Sequence, residues 1–157
     1  MKRSVILILL SSLLLSLSFC KKEEKPVLET EKPLFEKVLS ENDKIIQFLL
    51  TTESVSPDVS GLISSLNSLE EAKGGLESSA LEMKNVLEGA KSSDVRISFE
   101  AYSKFSEILA SSMKTHGLQS GRNRFYCPMV KKTWVFFGMK ILNPYAPDMR
   151  DCGDLIP

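Results

Sequence analysis

The stretch VRISFEAYSKFSEILASSMKTHG, residues 95–117, decides how the chain is read. Its residues Val95, Phe99, Tyr102, Phe105, Leu109 and Met113 recur three or four positions apart, which places them on one face of an α-helix. Ser92, Ser93 and Asp94 precede it with side chains suited to capping the first amides, and Gly117 stops it. A helix with one apolar face needs partners carrying matching stripes, because packing rather than propensity holds it together.

Three such stripes lie upstream. Leu34, Phe35, Val38, Leu39, Ile45, Ile46, Leu49 and Leu50 follow Pro33, and Val59, Leu62, Ile63, Leu66 and Leu69 follow Pro57. Leu76, Ala80, Met83, Leu87 and Ala90 follow the Gly74-Gly75 break. Short connections favour antiparallel neighbours. The sequence therefore predicts an all-α fold: an antiparallel four-helix bundle over residues 34–117, with an irregular C-terminal tail, residues 118–157, packed on it. In the tail, Gly121, Pro128, Gly138, Pro144, Pro147, Gly153 and Pro157 leave no room for a long helix, only strand-like pieces around Thr133–Phe137 and Lys140–Leu142.

At the other end, Lys2 and Arg3 precede an apolar run from Val5 to Leu17 that only serines interrupt. This is the layout of a secretory signal peptide, too short to span a bilayer, which takes about 20 apolar residues. Leu17-Ser18-Phe19-Cys20 resembles the lipobox read by bacterial lipoprotein signal peptidase, with Phe19 where that pattern has a small residue. The resemblance implies that residues 1–19 are removed and that Cys20 carries lipid. The domain is then held to the inner or outer membrane, facing the periplasm or the cell surface. Residues 20–33, charged and bearing two prolines, read as a flexible tether.

Composition excludes several functions. Lys+Arg and Asp+Glu number 20 each and are interleaved, so no basic stripe for nucleic acid exists. His116 is the single histidine, which rules out a two-histidine zinc motif and leaves a Ser/His/Asp arrangement only a residue at a helix end. No glycine-rich phosphate loop is present, and Glu70 and Glu71 read as a solvated helix face. The expectation is a non-enzymatic protein.

The unusual residues gather in the tail. Cys127-Pro128-Met129 sets a thiol and a thioether two positions apart, and Met149 and Cys152 sit on one side of a single turn. If the tail folds back, Cys127, Met129, Met149 and Cys152 form a soft sulfur set that selects Cu(I) over hard cations. Met139 and His116 are further ligands without a spacing argument. The competing reading is a Cys127–Cys152 disulfide, ordinary outside the cytoplasm, with the methionines as packing. Trp134, Phe136, Phe137 and Tyr145 either dock the tail on the bundle or present an aromatic patch to a partner. Asn143-Pro144 sets a turn that both sulfur readings require.

Taken together, Tyr126-Cys127-Pro128-Met129, Trp134, Ile141-Leu142-Asn143-Pro144-Tyr145, Met149 and Cys152-Gly153 are similar to the signature of a domain of unknown function. That domain occurs in bacterial envelope proteins, often lipoproteins, and is also fused to periplasmic adaptor subunits of heavy-metal (copper/silver) efflux systems. The resemblance implies an envelope-facing domain concerned with heavy metals. The leading expectation is a lipid-anchored protein that binds a soft ion, copper foremost, for sequestration or hand-over to an efflux system. The alternative is a structural or interaction lipoprotein whose tail is stapled by Cys127–Cys152 and holds no metal.

Overall fold

The computed structural model describes residues 25–157. The signal segment, Cys20 and the first tether residues lie outside the described part. Four helices follow in order: α1 (Glu31–Thr51), α2 (Ser60–Glu71), α3 (Glu77–Leu87) and α4 (Val95–His116). No helix among the described residues is long and apolar enough to cross a membrane.

Local chemistry sets the helix ends. The Asp94 side chain accepts from the amides of Arg96 and Ile97 at 2.9 and 3.3 Å, starting α4, and Gly117 ends it in the left-handed region at φ +67°. Successive helices pack on one another, α1 on α2, α2 on α3 and α3 on α4. Their stripes merge into one core in which Phe35, Leu39, Ile46, Leu66, Leu69, Met83, Tyr102 and Phe105 are fully buried.

Helix α3 has no capping side chain of its own. Its cap comes from the start of α1. The buried Glu31 carboxylate accepts from the amides of Gly75 (3.0 Å) and Leu76 (2.9 Å), and also from that of Leu28 (2.7 Å). An anion here meets the positive end of the α3 dipole and satisfies amides that no helix bond can use. The Gly74-Gly75 pair now has a cause. A Cβ on Gly74 would run into the Glu31 carboxylate, and one on Gly75 would lie 2.6 Å from the Lys25 carbonyl. The chain before α1 is laid over this junction, with the Gly75 amide also 3.0 Å from the Pro26 carbonyl and Lys25 Nζ 2.7 Å from Glu77.

The all-α expectation is wrong. After Gly117 the chain forms a three-stranded antiparallel sheet, β1 (Arg122–Cys127), β2 (Lys132–Phe137) and β3 (Asp154–Ile156), in the order β2–β1–β3. The fold is therefore a mixed one, helices followed by sheet. A strand at 133–137 was legible from its β-branched and aromatic residues, but its partner RNRFYC was hidden by two arginines and an asparagine. Tertiary pairing overrode that weak local signal. The stretch 140–142, read as strand-like, has no regular structure.

Strand β2 lies against both α4 and α1. Its outer edge would present bare backbone groups, and helix side chains cover them. Asn42 Nδ2 donates to the Val135 carbonyl (2.9 Å), and Ser103 Oγ accepts from the Thr133 amide (2.8 Å). Asn42 Oδ1 in turn accepts from the Tyr102 hydroxyl at 2.8 Å, so every member of this buried set is engaged. Arg122 ties β1 to α1 through Asp43 and Glu36 at 2.9 Å each, its guanidinium stacked 5.1 Å from the centre of the Phe137 ring.

Because Glu31 satisfies three amides, Glu31→Ala is expected to lower unfolding free energy by about 2–3 kcal/mol. Glu31→Gln, which keeps the shape but lacks the charge, should lose less. Chemical denaturation of the three proteins measures the order.

Candidate functional site: the disulfide-bonded tail

The hairpin β1–β2 turns over residues 128–131, where Lys131 takes the left-handed conformation at φ +53°. Cys127 closes β1 and is fully buried. Residues 138–153 then cross back, and Cys152 bonds covalently to Cys127 with Cα atoms 5.6 Å apart. The disulfide reading of the tail cysteines is the one realised.

The methionines differ in how far they are exposed. Met129 stands in the hairpin turn at 72% exposure. Met149 is half-buried at the end of the 3₁₀ turn Pro147–Met149, its carbonyl accepting the Cys152 amide at 3.0 Å. Met139 is 76% exposed beyond the far end of β2, a six-residue strand of roughly 20 Å, so it does not join them. His116 lines a different groove, formed by α3 and α4. Both cysteine sulfurs are used in the bond, and soft-metal ligation needs deprotonated thiols, so this oxidised form offers no thiolate. Among the described residues no cluster of three or more His, Cys, Asp or Glu is placed to hold a metal ion. Lys132 is engaged with Glu100 on α4 at 2.7 Å, and this contact holds the Glu100 carboxyl below its ordinary range.

The signature residues are packed inward. Asn143 is buried, its Oδ1 accepting the Tyr145 amide at 2.9 Å in the turn that reverses the chain. The Tyr145 hydroxyl donates to the Thr133 carbonyl at 2.9 Å, completing the cover of the β2 edge. Its ring meets Phe99 and Trp134 edge-on, with centroids 5.2 and 6.4 Å away. Burial raises the ionisation of Tyr102 and Tyr145 above the ordinary phenol range, so both remain donors across physiological pH. Trp134 stacks on Phe125 at 5.5 Å with no exposed surface. Of the four aromatic residues singled out in the sequence, Trp134 and Tyr145 dock the tail, Phe136 is half-buried, and Phe137 is exposed beneath Arg122.

Sequence reading passed over two residues that hold this site. Arg150 donates to the carbonyls of Leu49 (3.1 Å) and Thr52 (3.3 Å) at the end of α1, and to that of Asn143 (2.8 Å). It serves α1 as a cationic C-cap. Asn42, a polar residue inside the first apolar stripe, was the one signal that a buried polar partner had to exist.

Comparisons with protein-family models, curated proteins and solved structures find no match.

Gly153 crosses the Trp134 indole so closely that a Cβ would lie 2.6 Å from the ring, at φ +150° where L side chains are disfavoured. Gly153→Ala is expected to cost about 1–3 kcal/mol. Trp134 is the single tryptophan, so a red-shifted emission maximum together with a lower melting temperature reads the displacement directly.

Proposed function

We propose that the chain is a lipid-anchored envelope protein of structural or interaction type, in which the disulfide-bonded tail completes the domain. The observation that carries this reading is the Cys127–Cys152 bond, which closes the tail over Trp134, Asn143 and Tyr145. A stable disulfide fits an oxidising compartment, in agreement with the lipobox-like segment ending at Cys20. Export and acylation come from that segment; the non-enzymatic reading comes from the lack of a paired acid and base in the sequence.

A second reading concerns the reduced protein. Opening the bond returns two thiols, with Met129 exposed two positions from one and Met149 a single turn from the other. That set favours Cu(I), and hand-over to a heavy-metal efflux adaptor is the role the resemblance suggests.

Non-reducing mass analysis of protein extracted from the envelope should return the 127 and 152 peptides joined. The Cys127→Ser/Cys152→Ser variant should lose about 3 kcal/mol of stability, as expected for a 25-residue separation. Quantitatively free thiols in the extracted protein would defeat the first reading. For the second, reduced wild-type protein is titrated with Cu(I) against a competing chelator. Tight binding that vanishes in the double variant and in the oxidised protein is expected; equal affinity in all three sinks it.

A further inference from the structure

The two sulfurs of the Cys127–Cys152 bond sit in unlike surroundings. Cys127 has no exposed surface, whereas Cys152 is half-buried in an irregular stretch that also carries the exposed Asp151. Thiol–disulfide exchange requires a thiolate to reach one sulfur in line with the bond, so an incoming nucleophile has access to Cys152 and none to Cys127. The strap bearing Cys152 is held by more than the bond. Arg150 donates to the carbonyls of Leu49, Thr52 and Asn143, and the Tyr145 hydroxyl to that of Thr133. Just beyond Cys152, β3 pairs with β1, Asp154 standing opposite Tyr126. None of these contacts uses a cysteine side chain, so they hold Cys152 beside Cys127 after the sulfur–sulfur bond is cut.

That docking decides which reductant can open the bond. A monothiol that attacks Cys152 leaves the Cys127 sulfur beside the new mixed disulfide, at a local concentration of about millimolar or more. Cys127 then attacks Cys152 again and expels the monothiol. A dithiol escapes this reversal, because its own second thiol resolves the mixed disulfide. We infer that the Cys127–Cys152 bond is a redox latch, opened at Cys152 by a protein dithiol and closed again on a strap that stays docked. In the first step a thiolate of the dithiol bonds to Cys152 Sγ and the Cys127–Cys152 bond breaks. Its electron pair leaves on Cys127 Sγ, which takes a proton from the dithiol's second thiol. That second sulfur, now a thiolate, bonds to its own neighbour, and Cys152 leaves as a thiolate and is protonated by water. Two electrons have passed to the latch, and the dithiol ends as a disulfide; the reverse sequence closes the latch. Charge narrows the partner further. Asp148, Asp151 and Asp154 are all exposed close to Cys152 in the chain, while Arg150 is turned to the end of α1. Lys132, opposite Cys127, is engaged with Glu100, which leaves Lys131 against these three carboxylates. Such a rim repels an anionic thiol such as glutathione and favours a dithiol protein with a cationic face.

The inference rests on the disulfide of the first reading above. It is tested on purified, oxidised protein, whatever the state of the pool in the envelope, so the two can fail separately. Oxidised full-length protein in detergent is mixed with reduced thioredoxin, with thioredoxin whose resolving cysteine is replaced by serine, and with glutathione. Acid-quenched samples are mapped by mass spectrometry. Intact thioredoxin should open the bond to completion, glutathione should open little of it, and the serine form should leave only a minor adduct, on Cys152. Arg150→Ala and the milder Tyr145→Phe loosen the strap, and each should raise that adduct about fivefold. The emission maximum of Trp134, which Gly153 covers, should stay in place on reduction. An adduct on Cys127, no reduction by thioredoxin, equal reduction by all three thiols, or a red shift of Trp134 on reduction overturns the inference. So does the wild-type adduct yield in both variants.

Discussion

Strand β2 meets the helices along its backbone edge, and the rest of the structure depends on how that edge is satisfied. Unpaired carbonyls and amides of a buried strand cost about 1–3 kcal/mol each, so β2 could not sit between α1 and α4 without polar partners at fixed heights. Asn42, Ser103 and Tyr145 provide them from two helices and from the returning tail. One consequence is specificity of register. A slip of β2 by one residue would offer the opposite face to the helices and leave these side chains facing nothing. A second is that sheet and helices share a single core: Tyr102, Phe99, Tyr145, Trp134 and Phe125 form a continuous chain of aromatic contacts from α4 through the tail to β1.

The tail residues that first drew attention divide by where they sit relative to that core. Trp134, Asn143, Tyr145 and Cys127 are buried and hold the architecture. Met129 and Met139 are not needed for packing at all. Large apolar side chains left so open carry no stabilising burden, so they are free to change with whatever the surface meets. The disulfide lies between the two groups, joining a buried sulfur to a half-buried one.

The helices were legible because each stripe obeyed one period over many residues and was bracketed by Pro33, Pro57, Gly74-Gly75, Asp94 and Gly117. The sheet was not. Strand β1 carries Arg122 and Arg124, and only the acidic pair Glu36 and Asp43 on α1 makes the buried Arg122 acceptable there. Strand β3 has three residues, too few for any periodicity. In the site, the pairing of the cysteines was open from spacing, since spacing says nothing about whether 25 intervening residues return to their start. Arg150 and Glu31 were invisible for a simpler reason: each serves a helix end contributed by a distant part of the chain.

The Glu31 contact also fixes how the entering chain transmits force to the body. The backbone at Pro26 is pinned to Gly75, and Lys25 to Glu77, so the chain from residue 25 onward is tied to the α2–α3 corner. A pull on the chain at residue 25 would load the α2–α3 corner, through the Pro26–Gly75 and Lys25–Glu77 bonds, before it reached the first turn of α1.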